Sequence, residues 1–207
     1  MSNFYETLLN NNLGRSLLKN VGLPTPINLK RYNANQETYF EGRVLVGASD
    51  NAALLNDLMR NLKASNAKVF FPSACKTAAA ILKAAEANGV RAVGVECKKD
   101  MTDKFDAFVF DATGFSDTEH LNQLYFFFNP VMRKLNSNGR VIVLGRPHMK
   151  AATGEQAAAM RALEGFTRSV AKEIGKKSAT AQSIYVEEGA EANIDSAFRF
   201  VISAKSA

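Results

Sequence analysis

From residue 43 onward the chain alternates two kinds of apolar pattern. Short runs that are apolar almost throughout occur at RVLVGAS (43–49), AKVFF (67–71), VRAVGVE (90–96), FDAFVFDATG (105–114), GRVIVLG (139–145) and AQSIYV (181–186). Such runs predict strands buried on both faces. Between them, 52–66, 76–88, 117–136, 153–176 and 191–203 carry the wider apolar spacing of helices, and Gly89 ends the second. Strands alternating with helices predict an α/β fold. We expect a doubly wound parallel sheet of six or so strands, Rossmann or flavodoxin-like, in three α/β/α layers. One connection is short: between the third and fourth strands only CKKDMTDKFD is available, against the dozen residues of an ordinary crossover. Either one turn of helix spans it or that face of the sheet is thinly covered.

Residues 1–42 follow a different pattern. Tyr5, Leu8, Leu9, Leu13, Leu17, Leu18 and Val21 recur with helical spacing across 4–21, Gly22 is a stop, and the two prolines of LPTPINLKRY force an extended path. This part reads as a helical and extended arm that needs a surface to lie on. The expected organisation is therefore an arm (1–42) and one domain (43–207).

Composition narrows the class. With 46% hydrophobic and 22% charged residues the 207-residue chain is globular and long enough for one good core. Its longest apolar runs, such as 124–128, fall far short of the ~20 residues of a bilayer span, so no membrane partner is expected. MSNFYETLLN has neither a basic nor an apolar signal region, which points to the cytoplasm and to reduced thiols at Cys75 and Cys97, read as packing residues. No ligand spacing accompanies His120 and His148, so no metal site is expected. A net charge of +6 invites a nucleic-acid reading, but the 26 cations are dispersed and no aromatics interleave with arginine. We expect no nucleic acid; a basic surface equally suits an acidic protein.

The helix pattern AMRALEGFTRSVAKEIG (159–175) resembles the segment Y-x-x-x-K-A-A-L-E-G-x-T-R-S-L-A-K-E of 3-oxoacyl-(acyl carrier protein) reductases, members of the short-chain dehydrogenase/reductase family. RVLVGAS, FVFDATG and GRVIVLG are similar, in order and spacing, to the family's strands leading into the T-G-x-x-x-G-x-G loop, the N-N-A-G signature and the catalytic serine. The resemblance covers about residues 43–190.

Carried over position by position, the family's chemistry is missing. The phosphate loop reads Gly47-Ala48-Ser49-Asp50-Asn51-Ala52-Ala53, so one glycine remains, Asn51 and Ala53 replace two others, and Asp50 adds a repelling charge. The N-N-A-G position is Asp111-Ala112-Thr113-Gly114. Gln156 stands at the tyrosine, Met160 at the lysine and Arg146 at the serine, and Glu188-Gly189 replaces P-G. Carbonyl reduction in this family needs a tyrosine acid whose pKa the lysine lowers; Gln156 and Met160 supply neither. No catalytic and no cofactor-binding residues are therefore expected here.

The pattern, with the arm GRSLLKNVGLPTPINLKRY (14–32), resembles the N-terminal degenerate, flavodoxin-like domain of high-molecular-weight 3-oxoacyl-(acyl carrier protein) reductases. That resemblance implies an excised, non-catalytic structural or interaction domain. Its parent would bind NAD(H) or NADP(H) in a C-terminal ketoreductase domain, and the partners would be that domain, a second copy and an acyl carrier protein. The resemblance also implies a contact surface at Tyr125, Phe126, Phe128, Phe166 and Val170, with plain core as the alternative. Lys98 and Lys99 lie near the family's adenine contact or in a solvated loop. Arg146-Pro147-His148 binds an anion or is a structural loop, and His120 reads as a surface residue. The competing functions are an active oxidoreductase with a shifted site, or a flavin- or nucleotide-binding module.

Overall fold

The computed structural model describes residues 11–22, 25, 27–35 and 37–206. Six strands form one all-parallel sheet: β1 (Arg43–Ala48), β2 (Lys68–Pro72), β3 (Ala92–Val95), β4 (Phe105–Asp111), β5 (Leu135–Gly145) and β6 (Thr180–Tyr185), in the order β3-β2-β1-β4-β5-β6. This is the dinucleotide-binding order, with the crossover direction reversing between β1 and β4, and not the 2-1-3-4-5 order of flavodoxins. The helices are α1 (Asn12–Asn20), α2 (Leu55–Ala64), α3 (Ala78–Ala87), α4 (Asn122–Phe128), α5 (Gly154–Ile174) and α6 (Asp195–Ile202).

The strands are apolar throughout because alternate side chains enter different cores. Val44, Val46, Val109, Ile142 and Leu144 point to a core roofed by α2, α3 and α6. Leu45, Phe108, Phe110, Val141 and Val143 point to a second core under α4 and α5. That second core is an aromatic layer: Phe110 lies 5.2 Å from Phe127, and Phe128 lies 5.0 Å from Phe166 and 6.3 Å from Phe108, all tilted or edge-on.

The fourth helix differs from the sequence expectation of 117–136. It is two turns long, because the Asp117 carboxylate accepts from the amides of Glu119 and His120 and starts a tight turn there. Pro130 ends it by removing an amide. The chain then enters β5 at Leu135, ahead of the expected 139, and pairs with Phe105 before an irregular step. This geometry also corrects the expected contact surface. Leu124, Phe127 and Phe128 share the inward face of α4, and Phe128 (3% exposed) and Val170 (6%) are core. Phe166 is half-buried against Phe128, and only Tyr125 and Phe126 stand in solvent, at 60% and 70% exposed.

Residues 96–104, between β3 and β4, contain no helix, so the second face is open over β2 and β3. Val93 is 39% exposed for that reason. The arm runs along the edge where the strands begin: Asn138 accepts from the Lys30 amide and donates to the Asn28 carbonyl. Of the expected helix 4–21, the part 4–10 lies outside the described residues; α1 buries Leu18 and leaves Leu13 and Leu17 exposed, as is Val21 in the turn after it.

The two phenylalanines of α4 should therefore part company on mutation. Phe128→Ser should cost about 3–5 kcal/mol of stability, the range of truncated core aromatics, whereas Phe126→Ser should stay within about 0.5 kcal/mol. Denaturant unfolding of the two variants checks this.

Candidate functional site

In a doubly wound sheet the crevice for a ligand opens at the carboxyl ends of the strands where the order reverses, here between β1 and β4. Ala48 pairs with Asp111 at that end. The loop after β1 then folds back on the end of β4 and spends its donors there. The Ser49 amide and hydroxyl both donate to the Asp111 carbonyl, at 2.8 and 2.9 Å. The Ala52 amide turns back to the Ser49 carbonyl at 3.2 Å. The Ala53 amide donates to the Thr113 hydroxyl and the Leu54 amide to the Asp111 carboxyl, both at 2.8 Å. Thr113 also donates its amide and hydroxyl to that carboxyl, at 3.0 and 2.6 Å. Asn51 takes the left-handed conformation (φ 58°) that the tight loop needs, a role open to asparagine. Gly114 is required at its own position: any Cβ there would collide with the Asp50 carbonyl.

Asp111 thus sits where an anion would meet the first turn of α2. It is fully buried. Burial pushes its pKa upward, while the Thr113 and Leu54 donors and the Arg146 charge act in the opposite direction. The sequence marks this carboxyl as an ionisable group ending an otherwise apolar strand, but its role as an internal acceptor requires the loop geometry.

The other positions are likewise occupied by internal contacts. Arg146 donates to the Val186 carbonyl at 3.0 Å and pairs with Glu191 at 2.6 Å, closing the mouth between β5 and the segment after β6. Its hydrogen bonds, chiefly those at the Glu191 backbone and with Arg146, hold the Glu191 carboxyl below its ordinary range. Arg146 is a structural tie, then, and its partner Glu191 was not singled out from sequence. Met160 is fully buried, and its sulfur accepts the Arg146 amide at 3.2 Å. Gln156 belongs to the cap of α5: its amide donates to the Thr153 hydroxyl and its side chain accepts from the Ala152 amide. The amides of this loop are thus engaged within the protein, and Gln156 and Met160 carry no ionisable group.

A second space lies beside it. Because no helix fills the β3–β4 crossover, a cavity of about 670 Å³ opens between α4 and the ends of β1, β2 and β3. Gly47, Phe110, Phe126, Phe127 and Pro130 give it an apolar wall, and a Cβ at Gly47 would collide with the Phe127 ring. Cys75, Thr77, Cys97 and Lys98 form the opposite side. The cysteines thus line a cavity, beyond the packing role expected of them. Burial, and secondarily Cys75, pushes the Cys97 thiol up to about 11, so it stays protonated and unreactive. Lys98 pairs with Glu96 at 2.6 Å. His120, expected at the surface, is part-buried against Phe115 and holds Asp117 at 2.8 Å. Among the described residues no cluster of three His, Cys, Asp or Glu side chains is placed to hold a metal. None of the described helices is long and apolar enough to cross a membrane.

No protein-family model matches the chain, and no curated protein matches it in sequence. Solved structures match it in shape. A dehydrogenase/reductase from Sinorhizobium meliloti superposes with a TM-score of 0.60 at 14% identity, covering 81% of this chain and 90% of that one. A short-chain dehydrogenase/reductase from Serratia marcescens gives 0.59 at 15%, covering 80% and 92%. An enoyl-(acyl-carrier-protein) reductase from Anaplasma phagocytophilum, solved with NAD, gives 0.62 at 14%, covering 84% and 90%. The fold is therefore that of short-chain dehydrogenases/reductases.

Asp111 yields a pH test. Its folded pKa lies above the unfolded value near 3.8, so its contribution is fully present below that value and is lost as pH rises through the folded pKa. The stability advantage of the native protein over Asp111→Asn should therefore be full below about pH 4 and shrink as pH rises above it, read from urea midpoints. An advantage that grows with pH would contradict the assignment.

Proposed function

We propose that this chain is a non-catalytic Rossmann-fold domain that acts through its surfaces, in support of an NAD(H)- or NADP(H)-dependent 3-oxoacyl-(acyl carrier protein) reductase. One observation carries the reading: four amides of the loop after β1, together with the Asp111 carboxyl at the start of α2, are satisfied inside the protein. The sequence pattern of α5 supplies the family assignment, and the Arg146–Glu191 pair and buried Met160 agree with a site given over to stability. In this reading the cofactor belongs to a C-terminal ketoreductase domain of a longer, cytoplasmic parent. This domain contacts it, or a second copy of itself, through the exposed Tyr125 and Phe126, and an acyl carrier protein is a further candidate partner.

A second reading, a nucleotide- or small-molecule-binding module, is favoured by the cavity alone. A volume of about 670 Å³ falls in the range of ligand sites, and its wall is aromatic. Flavin binding finds no support in the strand order or in the Ala48-Ser49-Asp50 turn.

Calorimetric titration of NADH, NADPH and FMN into the chain separates the two. No saturable binding stronger than about a millimolar is expected, the weak end of specific affinity. A micromolar constant would favour the binding module. Introducing Gln156→Tyr with Met160→Lys should not produce turnover of an acetoacetyl substrate, because Arg146 and Asp111 would still occupy the mouth and the loop. Measurable NADH oxidation by that double variant would overturn the non-catalytic reading.

A further inference from the structure

All five sheet-packed helices run antiparallel to the strands, so their C-termini collect along the edge where the strands begin. Cations there complement the helix dipoles, which accounts for Arg133, Lys134, Lys176 and Lys177 near the ends of α4 and α5. The edge carries more positive charge than that. Lys104, just ahead of β4, lies on no helix, yet it sits close enough to Lys177 that, with burial as the larger cause, it and Lys176 push the Lys177 ammonium below its ordinary value. Lys177 is fixed at the edge by the Arg133 and Leu135 carbonyls, at 3.1 and 2.7 Å. Lys30 and Arg31 arrive on the arm, held by Asn138, and Lys205 joins them beside the end of α6, with a 330 Å³ hollow between.

None of these eight cations has a carboxylate partner among the described residues. The acids nearby are already engaged: Asp103 pairs with Arg43, and Asp106 accepts from the Arg43 amide and the Asn136 side chain. Like charges held together without neutralisation destabilise a surface that stays bare, and a partner bringing carboxylates relieves them.

Resting on the reading that this domain works through its surfaces, we infer that the edge where the strands begin is a docking surface for the acidic face of a partner protein. Six of the eight cations are lysines, compact point charges suited to scattered carboxylates on a protein face. Tyr32, on this edge, already lies 4.5 Å under the Lys205 ammonium, so one face of its ring is taken and no run of aromatics is offered to successive bases. Around the hollow beside Lys205 the large exposed apolar side chains are Leu29 and Tyr32, little for insertion between lipids; the exposed Leu13, Leu17 and Val21 lie on or just after α1.

The test uses the whole chain and three probes at equal ionic strength: labelled poly-L-glutamate, a duplex DNA of about 20 base pairs, and vesicles with about 30% phosphatidylserine. Poly-L-glutamate should bind at about 25 mM NaCl and weaken at least tenfold by about 150 mM, as screened contacts do. Lys104→Glu with Lys176→Glu should weaken it at least tenfold more. Lys83→Glu with Lys99→Glu, the same change in net charge elsewhere, should leave it within about twofold. Thermal unfolding confirms that each variant is folded, and Arg31→Glu with Lys205→Glu provides a second pair from the other half of the edge. The inference is overturned if poly-L-glutamate fails to bind, if both charge-matched pairs weaken it equally, or if DNA or vesicles bind more tightly at the same salt. None of these outcomes bears on the dinucleotide titration, so the two readings fail separately.

Discussion

The carboxyl of Asp111 meets three parts of the molecule at once: the end of β4, the loop leaving β1 and the first turn of α2. In a fold of this kind the start of that helix is a natural anion site, with unpaired amides and the positive end of the dipole facing the crevice. Here that place is filled by a carboxyl group of the chain itself. A group delivered covalently loses no translational freedom on arrival, whereas a diffusing phosphate must lose it each time it binds. An internal carboxyl therefore engages the Leu54 amide without that loss. The closed loop, the tight approach of Gly114 and the left-handed Asn51 follow from that occupancy.

Much of the fold was legible because parallel strands covered on both faces leave a strong, simple mark. RVLVGAS, AKVFF and AQSIYV each form a strand within a residue or two of the expected bounds, FDAFVFDATG ends three residues early at Asp111, and the long helix expected over 153–176 is Gly154–Ile174. The failures have local causes. The helix expected over 117–136 took its length from apolar content, but Asp117 and Pro130 dictate where the backbone can donate, and β5 claimed the rest. Periodicity also cannot tell a ring that faces a partner from one that faces its own core, which is why Phe128 and Val170 were assigned outward while two turns of α4 placed Phe128 inward.

At the candidate site, single positions were readable and pairings were not. Gln156, Met160 and Arg146 could be recognised as substitutions in a family pattern. That Arg146 would meet Glu191, 45 residues later, depends on how the segment after β6 folds back over the end of β5. Likewise the cavity beside α4 is a consequence of a missing helix, and an absence leaves no pattern of its own beyond a short connection. The charged edge has the same character. Its cations are scattered in sequence and gather only because every sheet-packed helix ends on one side of the sheet.

The bare crossover between β3 and β4 also shapes how stability is distributed. β3 has four residues, pairs with β2 alone and lies at the margin of the sheet, with one face uncovered. Little buried surface is lost when it detaches, so its amides belong to a cooperative unit smaller than the whole domain. Exchange of those amides with solvent then reports a partial opening, in which the ladder from β2 to β6 stays closed. The same opening bares Cys97 and widens the cavity. The walls of that already open space are thus loosened by the lifting of a four-residue margin, a much commoner event than unfolding of the domain.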